Sequence, residues 1–434
     1  MSCRDFKWAC FFALTAMVAS VAQAGPAIER WVSASGARVQ FIESRVLPML
    51  DVQVDFAAGS MFDPPGKSGL AALTRGNMDL GAGARDETRI AEDLADLGAA
   101  LGGGADTDRA SVSLRTLSMP DTRGPALEIL ADVLRAPKFT ADIFTREQTR
   151  TIAALKDAMT RPDSIAGKAF WAALYPDHPY GRQATPESVA AVNIADVQAF
   201  HARYYTAKNA LVTIVGDVSR AEAEALAERL TAGLPAGEVP TLPAPPKVGK
   251  GKTVALAHPA SQAHVYIGLP AIERGHPDFF PLLVGNYSLG GGGFVSRLMQ
   301  EVRDKRGFAY SVYSYFAPLR QAGPFQIGLQ TKRSQAREAI RVAREVLDGF
   351  VKQGPTVDEL AAAKANLTGS FPLRLDSNRK LLDNAAAMGF YGLPADYLDT
   401  YQDKVRAVTV DDVKRAFSRH VRSADLMIVT VAAD

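Results

Sequence analysis

The groups in this chain that could do chemistry are few, and their spacing removes most options. The six histidines, His178, His201, His258, His264, His276 and His420, never fall four apart. No helix can therefore stack two of them one turn apart as a metal pair, and neither H-x-x-E-H nor H-E-x-x-H occurs. Both cysteines, Cys3 and Cys10, lie in an apolar leader, so the remainder has no disulfide, no thiolate metal site and no thiol nucleophile. Four consecutive glycines, Gly290, Gly291, Gly292 and Gly293, are followed by neither Lys-Ser nor Lys-Thr. Rossmann spacing is also absent, so they are not a phosphate loop and, taken alone, read as a flexible turn. Arg303 and Tyr310 stand seven residues apart across a helix end marked by Gly307. On spacing alone, Arg303 serves the helix C-terminal dipole and Tyr310 is a half-buried strand aromatic.

Those residues sit in a chain of 434 with 47% apolar and 22% charged residues, enough for a large core and for two or more domains. A net charge of +2 gives no nucleic-acid surface and no patch for anionic membranes. At the start, Arg4 and Lys7 precede the apolar run "WACFFALTAMVASVA" and the small-residue site "AQA", Ala22 to Ala24. This is the pattern of a secretory signal peptide over residues 1–24, cleaved after Ala24. An uncleaved anchor is the other reading, but the apolar run is short for a span and no other stretch approaches 18 apolar residues. No lipobox precedes Cys10. An exported chain without disulfides suits a bacterial periplasm.

The chain is written twice. "TADIF" from Thr140 and "TVDEL" from Thr356 are 216 apart, as are "ADV" at Ala195 and "DDV" at Asp411, and "ALEILADVL" from Ala126 and "VAREVLDGF" from Val342. The Pro- and Gly-rich stretch "LPAGEVPTLPAPPKVGKGK" reads as a semi-extended linker. This places halves at 25–235 and 250–434, joined by 236–249. "DVQVDFA" alternates, with Val52, Val54 and Phe56 on one face and Asp51, Gln53 and Asp55 on the other, a half-buried strand. "ASVSLRTLS" from Ala110 does likewise, and "AREAIRVAREVLDGFV" from Ala336 is an amphipathic helix. The expected fold is α+β: two duplicated halves, each a mostly antiparallel sheet covered by helices on one face.

Several stretches carry a family resemblance: "VQVDFAAGSMFDPPGKSGLA", "HPYGR" at His178, "VRDKRGFAYSVYSYF" from Val302 and "FYGLPADYLDTY" from Phe390. With the duplicated architecture, they resemble the pitrilysin and mitochondrial-processing-peptidase family, the inverted zinc peptidases with an H-x-x-E-H helix. The resemblance implies a helix beginning G-L-A-H-x-x-E-H, two histidines on zinc, a glutamate base and a further glutamate ligand roughly 75 residues on. In the frame set by Gly69, Leu70 and Ala71, the first histidine position is Ala72, the base position Arg75 and the second histidine position Gly76. Ile152 to Ala154 stand where the third ligand would fall, and Glu147 and Asp157 are the nearby carboxylates. Ala72 and Gly76 have no donor atom, and a guanidinium at position 75 would repel a dication.

The resemblance implies that the second half keeps its own part of the site while the first has lost the zinc ligands and base. Active members carry an Arg and a Tyr at the spacing of Arg303 and Tyr310, holding the peptide carbonyl and its developing oxyanion. Noncatalytic subunits carry a glycine-rich loop near the substrate path, which Gly290–Gly293 resemble. The resemblance therefore implies a zinc-less subunit of a periplasmic heteromeric metallopeptidase, itself without cofactor, supplying Arg303 and Tyr310 in trans. A homologous H-x-x-E-H subunit would bring the zinc, and the substrate would be a peptide or unfolded segment. The alternatives are a catalytically silent scaffold or peptide-binding protein, and a homodimeric pseudoenzyme.

Overall fold

The structure, a computed structural model, describes residues 27–433, so the leader and its cleavage site lie outside the described residues. Strands in the first half are β1 (Glu29–Val32), β2 (Arg38–Glu43), β3 (Met49–Phe56), the short pair β4 (Gly81–Ala82) and β5 (Arg85–Asp86), β6 (Ala100–Ala105), β7 (Ala110–Leu117) and β8 (Ala210–Gly216). The main sheet runs β1-β2-β8-β3-β7-β6, antiparallel except for β2 against β8. The second half has β9 (Thr253–Leu256), β10 (Gln262–Ile272), β11 (Ala309–Phe316), β12 (Gly323–Lys332) and β13 (Met427–Val431). Its order is β11-β12-β10-β13-β9, antiparallel except for β13 against β9. The two sheets are thus the same design, each with its one parallel pair toward one end.

The repeat extends to helix caps. Asn193 and Thr409, 216 apart, each cap a helix (Ile194–Tyr204 and Val410–His420) through a reciprocal capping box. Each half has its own core. In the first, Val52, Val54 and Phe56 meet Leu127, Leu130 and Leu134 of the Pro120–Arg135 helix. In the second, Ile267, Phe325 and Ile327 meet Val342, Leu347 and Phe350 of the Ala336–Gln353 helix.

The opposite face of each sheet is covered by a helix of the other half. Helix Pro162–Leu174 lies on β10 and β13, packing Phe170 and Leu174 with Met427 and Val429. Helix Asn378–Tyr391, which begins 216 residues after Pro162, lies on β2, β3 and β8, with Leu382 and Ala385 against Ile42 and Val215. The exchange buries the polar side of β3: Asp51, Gln53 and Asp55 are 1%, 5% and 0% exposed, whereas alternation alone made that face half-open. The charges are matched. Arg115 grips Asp51 at 2.7 and 3.1 Å, and Gln53 Nε2 and Arg109 donate to Asp55 at 2.9 and 3.3 Å. Gln40 donates across the seam to the Ala385 carbonyl at 2.8 Å. Residues 235–252 carry no helix or strand. Among the described residues no helix is long and apolar enough to cross a membrane.

Candidate functional site

Helix Leu70–Asn77 begins at Gly69, whose φ of 104° a side chain would oppose. Asp63 supplies the missing cap: its carboxylate accepts the N–H groups of Gly69 at 2.7 Å and Ala71 at 2.8 Å. Ala72 and Gly76, one turn apart, are both exposed and carry no donor atom. Arg75 faces the sheet, only 4% exposed. Its Nε–H donates to Ser111 O on β7 and an Nη2–H to Gly102 O on β6, each at 2.6 Å, while Nη1 sits 3.3 Å from Asp79. Arg75 is therefore a tie between helix and edge strands, its charge already matched by carbonyls and Asp79. On helix Ala141–Ala158, Ile152 packs on the first core and Ala153 and Ala154 are exposed. Glu147 is held by Arg146 and Arg150, and Asp157 lies by Arg161. These residues do not fit zinc.

The glycine run follows helix Phe279–Asn286 and forms a wide turn over Tyr287–Gly291, then a tight one over Gly293–Val295. The sequence suggests one amphipathic helix over 294–306; instead helical backbone spans residues 297–304 and is again wide from Met299 to Asp304. The glycines before this stretch serve close packing. A Cβ at Gly290 would stand 2.6 Å from Ser314 N and 2.8 Å from Leu298 Cδ1, and one at Gly292 would stand 2.7 Å from Tyr287 O. Gly293 has φ +62°.

The outcome is an exposed apolar turn beside Arg303. Phe294 is 68% exposed and Val295 59%. The Arg303 guanidinium lies 5.0 Å from the Phe294 ring centroid and 5.7 Å from that of Tyr310, with Asp304 at 2.9 Å. Gly307, at φ +62°, closes the helix by donating to Arg303 O. Tyr310 follows on the edge strand β11, where the register with β12 slips between Ala309 and Val312. A bulge re-aims side chains, and Tyr310 stands 88% exposed, not half-buried. Arg303 and Tyr310 therefore come together, on a different half from Ala72, Arg75 and Gly76.

Two clusters went unread in the sequence. Among the described residues, one trio of possible metal ligands lies together: His276, Asp278 and His420, with ligand atoms within 4.8 Å of one another. Asp278 receives Arg419 at 2.6 Å and His420 at 2.7 Å, and its own N–H donates to His276 Nδ1. With a guanidinium already on the carboxylate, the trio joins a helix start to a helix end. The second cluster is the joint between halves. Buried Asp108 accepts from Tyr180 and Tyr391 hydroxyls at 2.7 and 2.9 Å and from Arg320 N at 2.8 Å. His178 and Gln321 bond beside it at 2.5 Å. Tyr180 and Tyr391 belong to the quoted "HPYGR" and "FYGLPADYLDTY" stretches, which was the available signal.

A two-half α+β peptidase fold whose metal-helix positions hold no ligand defines the class: a degenerate member of the inverted zinc peptidases. The chain belongs to the M16 peptidase family. Residues 39–186 match the model described as Insulinase (Peptidase family M16), and residues 191–367 match the Peptidase M16 inactive domain. The crystal structure of a peptidase M16 inactive domain from Pseudomonas fluorescens is 37% identical, with a TM-score of 0.90 over 93% of this chain and 97% of that one. The non-peptidase homolog YmxG of Helicobacter pylori is 26% identical over 91% of each chain. An uncharacterized zinc protease of Mycobacterium tuberculosis is 30% identical over 69% of each. The periplasmic protease PqqL of Escherichia coli shares the fold, with a TM-score of 0.81 at 17% identity over 94% of this chain and 46% of that one.

Proposed function

We propose that this chain is the zinc-less subunit of a heteromeric M16 peptidase, exported to the periplasm after cleavage at Ala24. In this reading it acts on peptides or unfolded segments and is inactive alone. Its units are residues 25–235 and 250–434, joined by 236–249. The observation that carries the reading is the contrast between the two halves. Ala72 and Gly76 offer no ligand atom, while Arg303 and Tyr310 stand together on an exposed face beside Phe294 and Val295. The exposed Phe294 and Val295 beside Arg303 and Tyr310 are where the sister subunit docks in this reading. The Tyr310 hydroxyl and the Arg303 fork are donors suited to a peptide carbonyl on which negative charge develops. In this reading Gly290, Gly291, Gly292 and Gly293, which adjoin this face in sequence, border the substrate path.

Mixing the purified mature chain with an H-x-x-E-H homologue from the same organism tests this. The expected result is a stable complex that cleaves a fluorogenic peptide faster than the homologue alone. A homologue fully active alone and unchanged by this chain would leave the silent-scaffold reading, which the kinship to a non-peptidase homolog also supports.

A further inference from the structure

A cavity of about 640 Å³ opens in the second half, and none of Phe294, Val295, Arg303 and Tyr310 lines it. It lies between the Arg274–Pro281 segment, the Tyr391–Pro394 turn and helix Tyr397–Ala407. Its size falls within the range of small-ligand sites. Phe280, Leu393 and Tyr397 make apolar walls, and Arg274 and Lys404 bring positive charge.

Among the described residues neither cation has an acidic partner within ion-pair distance. The Arg274 guanidinium lies 5.3 Å from the Tyr391 ring centroid, and its Nε–H is buried without an acceptor. The guanidinium lines the cavity with its charge unmatched by any carboxylate among the described residues, so an anionic ligand group would complement it. Lys404 Nζ stands 5.8 Å from the centroids of both Phe280 and Tyr397. The carboxylate lining the cavity, Asp412, is already held by Thr409 and Arg415. Burial pushes the Tyr397 phenol up to about 12, so it stays a hydrogen-bond donor.

We propose that this cavity binds the free carboxyl terminus of a peptide whose last side chain is large and apolar. The planar Arg274 fork matches a carboxylate bidentately, and Lys404 adds a second charge at the mouth. Phe280, Leu393 and Tyr397 take the side chain. His276 and the Tyr397 hydroxyl, both in the lining, offer polar atoms that a peptide backbone can use and a plain alkyl chain cannot. The site does not depend on Arg303 and Tyr310 acting in trans.

Calorimetric titration of the mature full chain with N-acetyl-Leu-Phe as the free acid, with its C-terminal amide and with dodecanoate tests the assignment. The free acid should saturate one site below about 1 mM, and the amide should bind at least about tenfold more weakly. Arg274→Gln should reduce acid binding to the level of the amide at an unchanged melting temperature, and the exposed Lys404→Gln should weaken it in part. Equal binding of acid and amide, no saturation by either, or an acid affinity untouched by Arg274→Gln would overturn the proposal. Dodecanoate binding more tightly than the peptide acid would overturn it too, in favour of a fatty-acid site. Because no partner subunit enters the experiment, its failure leaves the heteromeric reading standing.

Discussion

Arg75 and Tyr310 carry comparable hydrogen-bonding power in opposite settings, and their substitutions should separate stability from activity. Arg75→Met removes donors to Ser111 O, Gly102 O and Asp79 and strands those acceptors around a buried helix. Losing charge-assisted bonds to groups left unsatisfied should cost about 2–3 kcal/mol, read as a lowered denaturant midpoint. Tyr310→Phe deletes one hydroxyl from a side chain 88% exposed, so unfolding and complex formation should hardly change. If the hydroxyl serves a developing oxyanion, kcat of the mixed enzyme should fall roughly 10²-fold. Arg303→Lys should also lower it, since an ammonium keeps the charge and loses the fork. Activity within about a factor of three of wild type, with the complex intact, would make Tyr310 a strand aromatic with no part in the chemistry.

Among the elements, the glycine run should split by position. Gly290→Ala places a methyl against Ser314 backbone and Leu298, so overpacking should cost about 1–3 kcal/mol or more. Gly293 has no neighbour within 4 Å of a Cβ, so Gly293→Ala should cost only its positive φ, about 1–2 kcal/mol. Paired thermal melts check the order, and equal losses would mean the run is a loose turn after all. The same run marks where local reading ends. The Ala336–Gln353 helix and the β3 and β7 strands were legible because their periods are local, and the 216-residue repeat because similarity needs no structure. Arg75 could be placed in a motif frame but not oriented, since its acceptors are main-chain carbonyls on β6 and β7. Asp63 reaches forward six residues to cap a helix, and the bulge under Tyr310 depends on pairing with β12, so neither has a periodic signature. The polar row of β3 pointed to water, and only the helix exchanged from the second half explains why it is buried.

For the whole molecule, the exchanged helices and the Asp108 network make the halves one body, and the network contains a group that titrates. His178 is 6% exposed. Its Nδ1 accepts the Tyr180 N–H at 3.2 Å, and its Nε2–H donates to Gln321 Oε1 at 2.5 Å, so both ring nitrogens are engaged by the neutral form. Burial holds its pKa below the ordinary 6.5. Below that pH the unfolded chain takes up a proton that the folded joint resists. His178 therefore stabilises the fold above pH 6.5 and loses that contribution as pH falls through its lowered folded value. One such proton changes unfolding free energy by at most about 1.4 kcal/mol per pH unit. His201, buried and likewise lowered, adds the same sign within the first half, while buried Asp108 is raised and works the other way at lower pH. A difference measurement isolates the joint. His178→Gln should be less stable than wild type above pH 6.5, and the gap should close as pH falls below it. Hydrogen exchange should report the opening locally, with the Tyr180 and Gln321 amides losing protection in acid before the strands of either core. A gap independent of pH would show that His178 acts in the joint only by shape.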